Sequence, residues 1–137
     1  MTDTGPAQGR KEIVVCVDDD PDVLSALRRL FENETYEVQT TERPAEALEW
    51  VQARDVGLVI SDQRMPGMSG IELLEAVARH SPTTVRILLT AYPGAVVAVQ
   101  SPAEEGFLMI GKPWDGDEIK RIVRAGLDSR AAARPQG

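Results

Sequence analysis

The chain has 137 residues, which suits one domain, and 15 Lys and Arg against 22 Asp and Glu give it a formal charge of −7. A surface that acidic repels phosphate backbones and anionic lipid, which argues against unaided binding of nucleic acid or membrane. One cysteine (Cys16) and one histidine (His80) exclude an internal disulfide and most zinc sites. No run of about 18 apolar residues is present, and residues 1–11 lack the apolar centre of a signal peptide. A soluble, cytoplasmic protein is expected.

In chain order, residues 1–11 read as a flexible tail. Ile13–Val17 is a continuous β-branched run ending in three aspartates, as a buried parallel strand would. Val23, Leu24, Leu27, Leu30 and Phe31 form a helical stripe, and Tyr36–Thr40 a short strand. Pro44 opens a second helix carrying Ala45, Leu48 and Val51. Val56–Ser61 is another buried strand, closed by Asp62. Ile71, Leu74, Val77 and Ala78 line a helix that starts at Gly70 and stops before Pro82. Thr84–Leu89 and Phe107–Ile110 are the remaining strands. Ile119, Ile122, Val123, Gly126 and Leu127 mark the last helix. Residues 129–137 read as a tail or linker stub, leaving a domain over 12–128, and the arginines of that tail are assigned nothing.

This is a βα unit repeated five times. Right-handed crossovers make it a five-stranded parallel sheet with helices on both faces, and such sheets bind ligands at the carboxyl ends of their strands. The polar residues at those ends are Asp18, Asp19 and Asp20, then Asp62, Thr90 and Lys112. Carboxylates gathered at one edge repel and call for a cation, and hard oxygen donors favour Mg²⁺. No glycine-rich phosphate loop is present, so a bound nucleotide is not expected. A carboxylate beside Mg²⁺, an ammonium and a hydroxyl suits phosphoryl transfer, with the carboxylate as nucleophile.

Val17-Asp18-Asp19-Asp20-Pro21, Ser61-Asp62-Gln63-Arg64-Met65-Pro66-Gly67, Leu89-Thr90-Ala91 and Lys112-Pro113-Trp114 together resemble the signature segments of a receiver domain of a bacterial two-component response regulator. The resemblance spans about residues 12–127. It implies the flavodoxin-like strand order 2-1-3-4-5 and a signalling switch rather than a metabolic enzyme. Asp62 would accept a phosphoryl group from a sensor histidine kinase or phosphotransfer protein, and slow self-dephosphorylation would follow. Asp18, Asp19, Asp62 and the backbone carbonyl of Arg64 would hold Mg²⁺. Thr90 would be the switch hydroxyl and Lys112 the phosphate-binding lysine, followed by a cis bond to Pro113. The segment around Asp62 also resembles receivers fused to σ54-type activators or to cyclic-di-GMP phosphodiesterase domains.

Other residues have plainer readings. Asp20 is an N-cap, Cys16 an inert core residue, His80 an exposed residue near a helix end, and Trp50 and Trp114 packing residues. Met109 stands where receivers commonly carry an aromatic switch ring, so a weaker or differently routed response is expected. Ile87 to Ala103 holds no charged residue; this stretch, with the 93–110 and last-helix face, is expected to be a contact surface for homodimerisation or an effector domain. Two rival readings are a small Mg²⁺-dependent phosphatase and a receiver-like scaffold that is not phosphorylated.

Overall fold

The computed structural model describes residues 11–91 and 107–133. Within them the chain forms β1 (Ile13–Val17), α1 (Pro21–Leu30), β2 (Glu37–Thr41), α2 (Pro44–Ala53), β3 (Leu58–Asp62), α3 (Gly70–His80), β4 (Val85–Thr90), β5 (Leu108–Gly111) and α4 (Gly116–Ala133). The crossover between β4 and β5, where the uncharged stretch and most of the expected contact surface fall, lies outside the described residues.

The strands make one parallel sheet in the order β2-β1-β3-β4-β5, as the resemblance implied. Side chains alternate across it because successive residues of a strand point to opposite faces. Val14, Cys16, Leu58, Ile60, Ile87 and Leu89 pack on one face with Leu24, Leu27 and Phe31 of the α1 segment and Ile119, Val123 and Leu127 of α4. Val15, Val17, Val59 and Leu88 pack on the other with Ala47 and Val51 of α2 and Leu73, Leu74 and Val77 of α3. Each fully buried Leu or Phe in these layers contributes about 1.5–3 kcal/mol. Burying both faces explains why the central strands β1 and β3 read as continuous apolar runs, whereas the edge strand β2 does not.

Strands β2 to β5 each end one residue later than their periodicity suggests, and they begin one residue later, or two in β3. Asp62 and Thr90 are therefore the last residues of their strands, still held by the ladder, with Asp62 opposite Leu89 and Thr90 opposite Gly111.

The larger difference is at the carboxyl end. The expected tail begins at 129, yet α4 continues to Ala133. Arg130 is the reason: it is 5% exposed, donates to the Thr83 carbonyl (3.0 Å) and to Glu12 Oε1 (2.8 Å), and pairs with Asp55. A buried guanidinium needs this many acceptors, and three otherwise separate segments supply them.

His80 is exposed and contacts Gln52, while Trp50 and Trp114 are half-buried against the two core layers. Cys16 has no exposed surface, and burial pushes its thiol up to about 12 despite an opposing influence of Arg28.

Candidate functional site

The carboxyl edge of the sheet gathers the polar strand ends. Asp18 follows β1; its backbone N–H donates to the Thr41 carbonyl (3.3 Å), which keeps it in line with the sheet. Its Oδ1 accepts from the Asp20 N–H at 2.9 Å. Asp20 then caps α1, its Oδ1 accepting from the Asp22 N–H at 2.9 Å with Pro21 in the first turn. The three successive aspartates are thus divided: Asp20 serves the helix, and Asp18 and Asp19 remain for the edge.

Oxygens of Asp18, Asp19 and Asp62 lie within 4.8 Å of one another. Asp18 and Asp62 are buried and Asp19 is exposed, so the cluster opens to solvent on one side. Lys112 reaches in from the end of β5, its Nζ 2.5 Å from Asp62 Oδ1 and 3.4 Å from Asp18 Oδ2. Its backbone N–H donates to the Thr90 carbonyl at 2.9 Å, and its bond to Pro113 is cis. Thr90 is 4% exposed at the end of β4. The other Asp62 oxygen, Oδ2, accepts from the Arg64 N–H at 3.0 Å. Arg64, with Asp19, Gln63, Met65, Pro66 and Ser69, lines a shallow recess of about 480 Å³ beside the cluster.

Electrostatics follow from this crowding. Burial raises the Asp18 carboxyl above its ordinary value, and the neighbouring Asp62 charge adds to that, against the Asp20 N–H and Lys112. Burial alone would lower Lys112, but its hydrogen bond to Asp62 and the charges of Asp18 and Asp62 outweigh it and raise the ammonium. Three carboxylates against one ammonium leave an excess of negative charge. Hard, closely spaced oxygen donors with one open side fit a divalent ion of the Mg²⁺ kind, which keeps part of its water shell.

The loop after β3 gives this edge its shape. Gly70 sits directly against the Asp62 carbonyl and the Leu88 side chain, where an added Cβ would collide with both. Gln63 donates its N–H to the Leu89 carbonyl (3.2 Å), accepts the Gly70 N–H at its own carbonyl (3.0 Å), and accepts the Ile71 N–H at its side-chain Oε1 (3.0 Å). Periodicity gave no sign of Gln63, because one polar residue in a turn has no pattern to betray it. The Ser69–Glu72 capping box completes the start of α3, and its Ser-x-x-Glu spacing was open to sequence reading.

A flavodoxin-like sheet whose carboxyl edge carries an acidic, lysine-paired cluster defines a class of phosphoryl-controlled signalling domains. The chain belongs to the response regulator receiver domain family, whose family model matches residues 14–124. It is similar to the transcriptional regulatory protein GlrR of Escherichia coli (strain K12), at 34% identity over 120 residues, covering 88% of this chain and 27% of that protein. Among solved structures it is similar to the signal receiver domain of an HD domain-containing protein from Pseudomonas fluorescens Pf-5 (30% identity, TM-score 0.82, covering 90% and 99% of the two chains). A CheY-like receiver from Methanospirillum hungatei JF-1 aligns at 26% identity with TM-score 0.82, over 90% and 99%. The chain spans about a quarter of the length of the curated relatives it matches. Membership makes this a regulatory domain, of a class conventionally non-catalytic apart from its own phosphorylation and dephosphorylation. Among the described residues, no helix is long and apolar enough to cross a membrane.

Proposed function

We propose that Asp62 is the phosphoacceptor of a cytoplasmic signalling switch. Asp18, Asp19, Asp62 and the Arg64 carbonyl would hold Mg²⁺, which when bound screens the carboxylates and draws charge from the phosphoryl oxygens. A carboxylate oxygen of Asp62 bonds to phosphorus as the P–N bond to the donor histidine of a sensor kinase or phosphotransfer protein breaks. With the donor ring protonated on its other nitrogen, the P–N electron pair returns to the ring, and the products are an acyl phosphate and a neutral imidazole. Lys112, already on Asp62 Oδ1, moves its ammonium onto a phosphoryl oxygen, and the Thr90 hydroxyl bonds another. The Arg64 N–H on Oδ2 keeps the nucleophile oriented.

The response is routed along β4 and β5. Thr90 and Lys112 share a backbone hydrogen bond, and Met109, opposite Leu88, packs into the layer beneath. A thioether has many similar rotamers, so the added charge repacks this layer gradually rather than flipping a ring between two states. Leu108, half-exposed on the edge strand, lies on the surface offered to a second copy or an effector domain.

The observation that carries this reading is the convergence of three carboxylates and Lys112 from three distant parts of the chain. A shallow recess that carries no covering insertion among the described residues favours a phosphoacceptor over a phosphatase. Incubation with acetyl phosphate and Mg²⁺ should add one phosphoryl group, about 80 Da by intact mass, and Asp62→Asn should prevent it. No adduct on the parent chain would favour the scaffold, and steady turnover of a phosphate ester the phosphatase.

A further inference from the structure

We infer that Gln63 is a positioning residue for the Asp62 site, acting through the single hydrogen bond from the Ile71 N–H to its side-chain oxygen. The inference rests on the metal site and phosphoacceptor proposed above.

The first turn of a helix exposes N–H groups that need outside acceptors. In α3 they are distributed with little redundancy. The Ser69 N–H goes to Glu72 Oε1 (2.9 Å), the Gly70 N–H to the Gln63 carbonyl, the Ile71 N–H to Gln63 Oε1 and the Glu72 N–H to Ser69 Oγ (3.1 Å). Gln63 thus serves two of the four. Its own N–H is spent on β4, at the Leu89 carbonyl. One residue therefore joins β3, β4 and the start of α3.

Its neighbours in the chain are the two residues whose geometry matters most. Asp62 supplies the carboxylate, and Arg64 supplies both the N–H on Asp62 Oδ2 and the carbonyl proposed to face the ion. Removing the side-chain acceptor leaves the backbone bonds of residue 63 but releases the loop from the second N–H of α3. The Arg64 peptide then loses its fixed direction. Groups that orient ligands without touching the ion typically change metal affinity by about tenfold or more when removed.

Three variants test this with Mn²⁺ as the probe, its free concentration read by electron paramagnetic resonance, alongside melting temperature. Gln63→Met keeps length and packing but has no acceptor, and Gln63→Asn draws the acceptor back by one carbon. Both should bind Mn²⁺ about tenfold more weakly. Gln63→Glu keeps an acceptor in reach and should bind at least as tightly as the parent. A purely structural role would lower all three melting temperatures and leave Mn²⁺ affinity within twofold of the parent, which would overturn the inference. Equal weakening in all three would overturn it as well, since the acceptor would then be irrelevant. If Gln63→Met does not fold, Gln63→Asn against Gln63→Glu decides. A parent chain that binds no Mn²⁺ and gains no phosphoryl group would instead remove the underlying site. Indifferent variants on a parent that does both would remove only the role of Gln63.

Discussion

Tyr36 shows how one side chain ties stability to pH. Its ring is 5% exposed and stands edge-to-face on Phe31, with centroids 5.5 Å apart. Its hydroxyl is buried and has no hydrogen-bond partner among the described residues. Burial, with the Glu34 charge adding and Arg124 opposing, holds the phenol well above its ordinary value of 10.0. The folded state therefore keeps a proton that the unfolded state releases. The stabilisation is complete below about pH 10 and declines as pH rises beyond it, by up to about 1.4 kcal/mol per pH unit. Tyr36→Phe should flatten that decline, as measured by urea unfolding between pH 9 and 11. At neutral pH it should match or exceed the parent by up to about 1 kcal/mol, because an unpaired buried hydroxyl is removed. A variant with an unchanged alkaline slope would show that this phenol is not the group responsible.

The last helix is held along its buried stripe and at its carboxyl end. Ile119, Val123 and Leu127 have at most 2% exposure, and one turn further on Arg130 is bound by Thr83, Glu12 and Asp55. These partners lie where chain segments enter β4, β1 and β3, so Arg130 fastens the end of α4 to the amino edge of the sheet. Arg130→Ala should cost about 2 kcal/mol in chemical unfolding. That is less than the 3–5 kcal/mol of a wholly buried pair, since Glu12 and Asp55 retain access to water. Ending the chain after Asp128 should have at least the same effect. A truncated chain as stable as the parent would mean that the ion pairs merely balance their desolvation.

For the molecule as a whole, the acidic edge opposes folding until a cation occupies it. Asp18 and Asp62 are buried, and among the described residues Lys112 is the cation paired with them. Mg²⁺ should therefore raise the melting temperature, with a stabilisation of about 2.7 kcal/mol at a hundredfold excess over its dissociation constant. In EDTA, Asp18→Asn should melt higher than the parent, because it removes a buried charge while keeping an oxygen for the Asp20 N–H. In Mg²⁺ the variant should gain less than the parent. Thermal melts of both chains in EDTA and in Mg²⁺ check this, and equal Mg²⁺ increments would count against Asp18 as a ligand.

The strands and helices were legible in the chain because their signals are local. A β-branched run such as Ile13–Val17 marks a strand buried on both faces, and the helical stripes follow from a 3.6-residue period. The acidic and basic strand ends could be recognised together because each closes such a run. The carboxyl boundaries slipped by one residue, since the apolar pattern gives out before Asp62 and Thr90 while burial and the ladder continue through both. Three things had no local signal. Lys112 meets Asp18 across 94 residues, Arg130 meets Glu12 across 118, and Gln63 serves α3 from the far side of its loop. Arg130 in a polar, alanine-rich stretch reads as a solvated tail. Only the packed sheet, by bringing acceptors from distant segments to one place, decides that its charge is buried.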